Sequence, residues 1–279
     1  NVATGDIGMS NAREVVAGVS SALGCDPNDV LIASTGVIGR QYPMDKVRAG
    51  LASLPAHPQG TSADDVARGI MTTDTVSKVA ECVVAGSSAR VVGVAKGVGM
   101  IEPNMATLIT MMFTDAQVEP SDLNSVFQRV IAKTFNCVSV DTDTSTSDTA
   151  IVLASGAAGN VDLSAFESAL YEVALSLTKQ VARDGEGAEK LIEVHVDHAR
   201  DYEQAKTIAK AIVNSPLVKT AVHGADPNWG RVLAAVGTAD ARMDPLAINV
   251  KLNGVQVCTN SAPDADKSTV NFDPRLVQI

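Results

Sequence analysis

The sequence predicts a mixed α/β or α+β layered sandwich rather than a doubly wound sheet. Three observations carry this expectation. Helical and strand-like segments alternate along the 279 residues. Two strand pairs read as hairpins, one around Gly86-Ser87-Ser88 and one around Asn253-Gly254. A β-rich apolar run over 108–113 lies between them and reads as a buried central strand. With 46% apolar residues the chain can bury a sizeable core, and its length suits one large or two modest domains.

Taken in order, residues 11–23 read as a helix. Asn11 is its N-cap, Glu14 stands at N3, Val15, Val19 and Leu23 form one stripe, and Gly24 ends it. Residues 30–34 read as a short buried strand entering Thr35-Gly36-Val37-Ile38-Gly39, a turn rich in backbone donors. Helices follow over 43–54 and 62–70, separated by a Pro/Gly loop. The second ends at Met71-Thr72-Thr73-Asp74-Thr75, a polar run that suits either a site wall or plain turn formation. Strands over 77–85 and 89–95 come next, the second delivering Lys96.

After the central strand, Pro120-Ser121 opens a helix striped by Leu123, Phe127, Val130, Ile131 and Thr134. A strand over 138–140 enters the polar run from Asp141 to Thr149, and another covers 150–154. A calcium loop counted from Asp141 needs Gly at its sixth position and Glu at its twelfth. Thr146 and Val152 stand there instead, so a hydrogen-bonded turn is expected. Ser164 and Glu167 form a capping box for a helix carrying Phe166, Leu170, Val173, Ala174, Leu177 and Val181. Asp184-Gly185-Glu186-Gly187 breaks that pattern, and a boundary just after it divides the chain into 1–186 and a smaller α/β part, 187–279. The second part holds a strand over 190–196, a helix capped by Asp201, and a helix from Asp226-Pro227 to Gly237. The 248–258 hairpin and a polar, loop-like tail close it.

A net charge of −10 with no basic cluster argues against nucleic acid, and 3% aromatics leave little for base stacking. The longest apolar runs are too short to span a bilayer, and no signal peptide opens the chain. The first residue is Asn1 rather than Met, as at a processed or cut end. The four cysteines are scattered, and the four histidines lack the spacing of a ligand pair. Reduced cytoplasmic thiols, no metal and no cofactor are therefore expected.

The chemically suggestive stretch is Gly93 to Thr114, in which Lys96 sits among Gly93, Gly97 and Gly99 and Pro103-Asn104 leads to Ala106-Thr107 at the head of the central strand. A threonine hydroxyl needs a base to act as a nucleophile. Cutting the Ala106–Thr107 bond would free an α-amine of pKa about 8 beside that hydroxyl. Taken alone, threonine is a common strand residue and glycine beside lysine a common loop, and no phosphate-binding G-x-x-x-x-G-K-[ST] is present.

Six segments recur in one order: Ala33 to Gly39, Met71 to Thr75, Lys96 to Thr107, Asp141 to Thr149, Asp184 to Ala188, and His223 to Arg231. Together they resemble the ornithine acetyltransferase (glutamate N-acetyltransferase) family of arginine biosynthesis. The version IASTGVIGRQYPM with KGVGMIEPNMATL looks most like the branch found with clavulanic acid biosynthesis. The resemblance implies an αββα sandwich of the self-processing Thr-nucleophile type, cleaved between Ala106 and Thr107 into chains that stay together, with an α2β2 assembly. Thr107 would be the nucleophile, Thr35 and Gly36 the oxyanion pair, and Thr72, Lys96, Thr107 and Glu186 the contacts to N-acetylornithine and glutamate. Thr73 stands beside Thr72. Family members run longer at both ends, with a C-terminal tail that adds an asparagine and a threonine to the substrate contacts, so the chain reads as a fragment. The competing expectations are an N-terminal-nucleophile aminopeptidase or amidase, and a non-catalytic protein that binds a small amino acid.

Overall fold

The structure is a computed structural model and describes residues 2–57, 60, 62–102, 108–264 and 266–279. Its helices are α1 (Gly5–Leu23), α2 (Met44–Ala52), α3 (Ala63–Gly69), α4 (Pro120–Lys133), α5 (Leu163–Arg183), α6 (Tyr202–Asn214), α7 (Pro216–His223) and α8 (Trp229–Val236). Its strands are β1 (Lys78–Val83), β2 (Arg90–Lys96), β3 (Ile109–Gln117), β4 (Thr149–Asn160), β5 (Leu191–Glu193), β6 (Val250–Leu252), β7 (Val255–Thr259), β8 (Ala262–Pro263) and β9 (Leu276–Gln278).

The main sheet has the order β1-β2-β3-β4. The first two pairings are antiparallel, and β3 runs parallel to β4. The β1–β2 hairpin and the central β3 stand where turn residues and β-rich runs predicted them. One face of the sheet meets α5, and α4 packs beside it. Val91, Ala95, Met112 and Ala116 from the sheet close on Phe166, Leu170, Val173 and Leu177 from α5. Gly93 sits at the closest approach: a Cβ there would fall 2.7 Å from a Val173 methyl and 2.8 Å from a Leu177 methyl. Only glycine lets the helix lie that near the strand. On the other face α3 buries Ala67 beside β1 and β2, while Val83, Phe113 and Leu153 remain 53%, 36% and 49% exposed. The chain is α/β, and among the described residues the main sheet carries the α4/α5 layer on one face.

A second apolar cluster gathers Ile212, Val218, Val232, Val236, Val250, Leu252, Val257, Phe272 and Val277. The β6–β7 turn places Asn253 and Gly254 at φ 46° and 83°, the left-handed pair of a tight hairpin. Polar contacts join this part to the first. Lys210 and Lys219 donate to the carbonyls of Val138 and Val140, and Lys210 pairs with Glu102 at 2.8 Å.

Several elements differ from expectation. Helix α1 begins six residues earlier, because Thr4 rather than Asn11 stands at its N-cap position; Gly24 ends it as expected, at φ 69°. Residues 30–34 form no strand: no sheet offers them a partner, and Leu31 and Ile32 are exposed. Residues 138–140 are likewise unpaired as a strand, though Val140 N–H donates to the Ile101 carbonyl. Asp162 caps α5 in place of Ser164, and Glu167 pairs with Arg129 across to α4. Asn228 rather than Asp226 caps α8, two residues late. Helix α7 was not anticipated, and the tail is not all loop, since β9 pairs in parallel with β5.

Candidate functional site

The site grows from the end of β2. Strand register pairs Lys96 with Ile109 at the start of β3. Lys96 is buried, and its ammonium donates to the Thr72 hydroxyl at 2.7 Å. Thr72, rather than Thr73, makes this bond. The Asp74 carboxylate lies 3.5 Å from the same ammonium and is itself buried. It accepts from Lys78 Nζ at 2.8 Å, from Gly97 N–H at 2.7 Å and from Thr72 N–H at 3.1 Å. Burial would push the Asp74 carboxyl up. The Lys78 bond, the two backbone donors and the Lys96 charge outweigh burial and hold it down to about 2.

Lys78 is fully buried and reaches Asp184 at 2.6 Å. Asp184 sits at the C-cap of α5 and also accepts from the Thr75 hydroxyl and N–H. The next turn carries Glu186, whose N–H donates to the Val98 carbonyl at 2.8 Å. The exposed Glu186 carboxylate lies against Gly99, where a Cβ would fall 2.8 Å from its oxygen. Lys96, Thr72 and Glu186 thus border one loop, 96–101, tied down from two sides.

Two further carboxylates brace this loop and the head of β3. Asp141 accepts from the N–H groups of Met100 and Ile101, at 2.5 and 2.9 Å. Met100 adopts φ 57°, a turn that the Asp141 bond helps to hold. Asp148 accepts from Leu108 N–H at 2.9 Å, and Thr149 N–H donates to the Leu108 carbonyl at 2.9 Å. Leu108, immediately before β3, is therefore gripped on both its amide and its carbonyl. The other Asp148 oxygen is buried and has no hydrogen-bond partner among the described residues. Burial pushes the Asp148 carboxyl up to about 6, with Leu108 N–H opposing.

Ala106 and Thr107 lie outside the described residues. Thr35 is half-buried and Gly36 exposed, in irregular backbone between α1 and α2. That stretch is held by Tyr42 O–H donating to Ser34 at 2.6 Å and by Gly39 N–H donating to the Val2 carbonyl. Among the described residues no hydrogen bond or ion pair joins Thr35 or Gly36 to Lys96, Thr72 or Glu186. A cavity of about 600 Å³ lies elsewhere. It lies between α6, α8 and β6, floored by Ile208, Ile212, Val232 and Val236 with His195 and His198 at its rim. Among the described residues no cluster of three or more His, Cys, Asp or Glu could hold a metal ion, and no helix is long and apolar enough to cross a membrane. The cysteines are free.

Sequence reasoning missed Asp74, Lys78, Asp184 and Asp148. Asp74 and Lys78 are four apart, but on irregular backbone that spacing implies no contact. Asp184 is over a hundred residues from its partner.

Fold and site define an α/β protein in which a buried, carboxylate-bound lysine and a glutamate turn flank the entrance to the central strand. The chain belongs to the ArgJ family, whose model matches residues 1–276. It is 53% identical over 263 residues to Arginine biosynthesis bifunctional protein ArgJ 2 of Nostoc sp., covering 94% of this chain and 67% of that protein. It is 54% identical over 259 residues to Glutamate N-acetyltransferase Oat2 of Streptomyces clavuligerus, covering 92% and 65%. An ArgJ from Thermus thermophilus matches at 48% over 279 residues, covering 100% and 72%. Among solved structures, the Bacillus halodurans ArgJ crystal structure superposes with a TM-score of 0.53 at 34% identity, over 59% of this chain and 83% of that one. The chain spans about two thirds of the length of the curated relatives it matches.

Proposed function

We propose that the protein is a glutamate N-acetyltransferase that moves the acetyl group from N2-acetyl-L-ornithine to L-glutamate through an acyl-enzyme on Thr107. Membership of a family whose curated relatives are named for arginine biosynthesis and glutamate N-acetylation supports the substrates. The observation that carries the site is the register of Lys96 with Ile109, two residues past Thr107, together with the Lys96–Thr72 bond.

Self-cleavage between Ala106 and Thr107 frees the α-amine. That amine takes the hydroxyl proton as Thr107 Oγ attacks the acetyl carbonyl. The tetrahedral intermediate collapses: the C–N bond breaks, the departing ornithine nitrogen takes the proton, and the acetyl group stays as an ester on Thr107. The glutamate amine then attacks the ester carbonyl, the C–O bond breaks, and the proton returns to Thr107 Oγ. Thr35 and Gly36 supply the oxyanion donors in this reading, each such donor being worth about 3–4 kcal/mol of barrier. Thr72, Lys96 and Glu186 contact the carboxylate and ammonium of the amino acids. Metal and cofactor have no part in this scheme.

The chains 1–106 and 107–279 remain together in a cytoplasmic α2β2 assembly. The domain division at 186/187 is supported by the two separate apolar clusters. Intact mass on a denatured sample tests the first step, and transfer of labelled acetyl to glutamate tests the second. Loss of both the acetyl-enzyme and transfer in Thr107→Ala is the expected result. An aminopeptidase or amidase would instead release acyl groups at the same rate without glutamate. Binding of ornithine derivatives with no acetyl-enzyme would mark a non-catalytic protein.

A further inference from the structure

The buried ion network behind Lys96 has a donor and acceptor count that assigns different work to its two lysines. An ammonium has three N–H donors. Lys78 directs all three at acceptors: Asp74 at 2.8 Å, Asp184 at 2.6 Å and the Val76 carbonyl at 3.4 Å. It is completely buried, so it has nothing left for a ligand. Lys96 bonds Thr72 at 2.7 Å and pairs with Asp74 at 3.5 Å. Among the described residues its third donor has no acceptor. Asp74 is saturated in the opposite sense, since one oxygen accepts from Lys78 and Gly97 N–H while the other faces Thr72 N–H and Lys96.

The network also spans the site. Asp74 lies beside Thr72, and Lys78 hands the connection to Asp184, two residues before Glu186. The Lys96 side and the Glu186 side are thereby joined through one row of alternating charges, Lys96, Asp74, Lys78 and Asp184, with their side chains 0–7% exposed. Two positive and two negative groups balance, which offsets part of the cost of taking them out of water.

We propose that Asp74, acting through Lys78 and Asp184, is the positioning residue of the substrate site: it aims the spare Lys96 donor and holds it at a fixed separation from the Glu186 turn. This rests on the reading that Lys96 and Glu186 bind the amino-acid substrates. Asparagine cannot replace Asp74, because its NH2 would face donors on whichever side it turned. Asp184→Asn lets the turn fold, since an amide oxygen still accepts from Lys78 while the NH2 turns to the Thr75 hydroxyl, but it removes the negative charge that balances Lys78 and so loosens the row.

The test uses Asp74→Asn, Asp184→Asn and the double variant, with circular dichroism, intact mass and steady-state acetyl transfer. Asp184→Asn is expected to fold and self-cleave, with KM for glutamate raised about tenfold and kcat within about twofold, the signature of lost binding rather than lost chemistry. The double variant is expected to be no worse than Asp74→Asn, because both changes remove a negative charge from one row. Wild-type transfer with an unchanged KM in folded Asp184→Asn overturns the positioning role alone, as does full additivity in the double variant. A wild-type protein that does not transfer acetyl groups overturns the functional reading and this role with it. If Asp74→Asn does not fold, the KM of Asp184→Asn still decides.

Discussion

Asp148 at the head of β3 should make the protein less stable at neutral pH than at mildly acidic pH, and Asp148→Asn should remove that dependence. Burial raises the carboxyl from its ordinary 3.8 to about 6, so the folded state holds this proton more tightly than the unfolded state. The contribution is therefore favourable below about 4 and is lost as pH rises through about 6. At about 1.36 kcal/mol per tenfold change in proton affinity, a rise from 3.8 to about 6 corresponds to about 3 kcal/mol at pH 7.5. Asparagine keeps the acceptor for Leu108 N–H but places an NH2 where the unpartnered oxygen lay, at a cost of about 1 kcal/mol. The net expectation at pH 7.5 is a gain of about 1–2 kcal/mol, or about 3–6 °C in Tm. At pH 4.5 the gain should vanish or reverse slightly. Urea unfolding of both proteins across this range measures the difference directly, and the acid-side behaviour of other carboxylates cancels in it. A difference that is the same at pH 4.5 and 7.5 would refute the claim that a buried charge at Asp148 is what costs stability.

Other perturbations have equally definite outcomes. Gly93→Ala forces a methyl into contacts of 2.7–2.8 Å with α5 and should cost about 1–3 kcal/mol, read as a fall in Tm. Lys78→Met strands Asp74 and Asp184 in the interior and should cost about 3–5 kcal/mol in chemical denaturation, whereas breaking the exposed Arg48–Glu14 pair should leave stability nearly unchanged. Asp74, held down to about 2, contributes stability that is complete above its ordinary 3.8 and is lost as pH falls through about 2. Acid unfolding of the parent should therefore steepen in that window, and should do so less in a folded Asp74→Asn variant. Leu170→Ala, in the fully buried seam between α5 and the sheet, should cost about 2–5 kcal/mol.

Much of the fold was legible because it is written in local chemistry. Turn residues at 86–88 and 253–254 announce both hairpins, the apolar run after Thr107 announces β3, and periodic stripes announce α4 and α5. Boundaries shifted where neighbouring caps compete: Asp162 outdid Ser164, and Asn228 outdid Asp226, because each side chain reaches the backbone donor three residues on. The glycine-bracketed Lys96 and Glu186 were also visible, since flexible backbone around a single charge stands out in sequence.

What the chain could not announce locally was decided by partners distant along it. Residues 30–34 have the composition of a strand but gain no ladder, because strand formation requires another strand's donors and acceptors, which none of the described sheets offers them. The tail looks like loop until β9 finds β5 more than eighty residues back. Asp74, Lys78, Lys96 and Asp184 are ordinary charges in one dimension. Packing of α5 and α3 against β1 and β2 removes water from them, and desolvation is what turns four common residues into a single interdependent network. Sequence alone determined which segments could be helices and strands and which residues carried reactive groups. The tertiary structure decided which of those groups meet, because burial and long-range pairing are properties of the assembled chain.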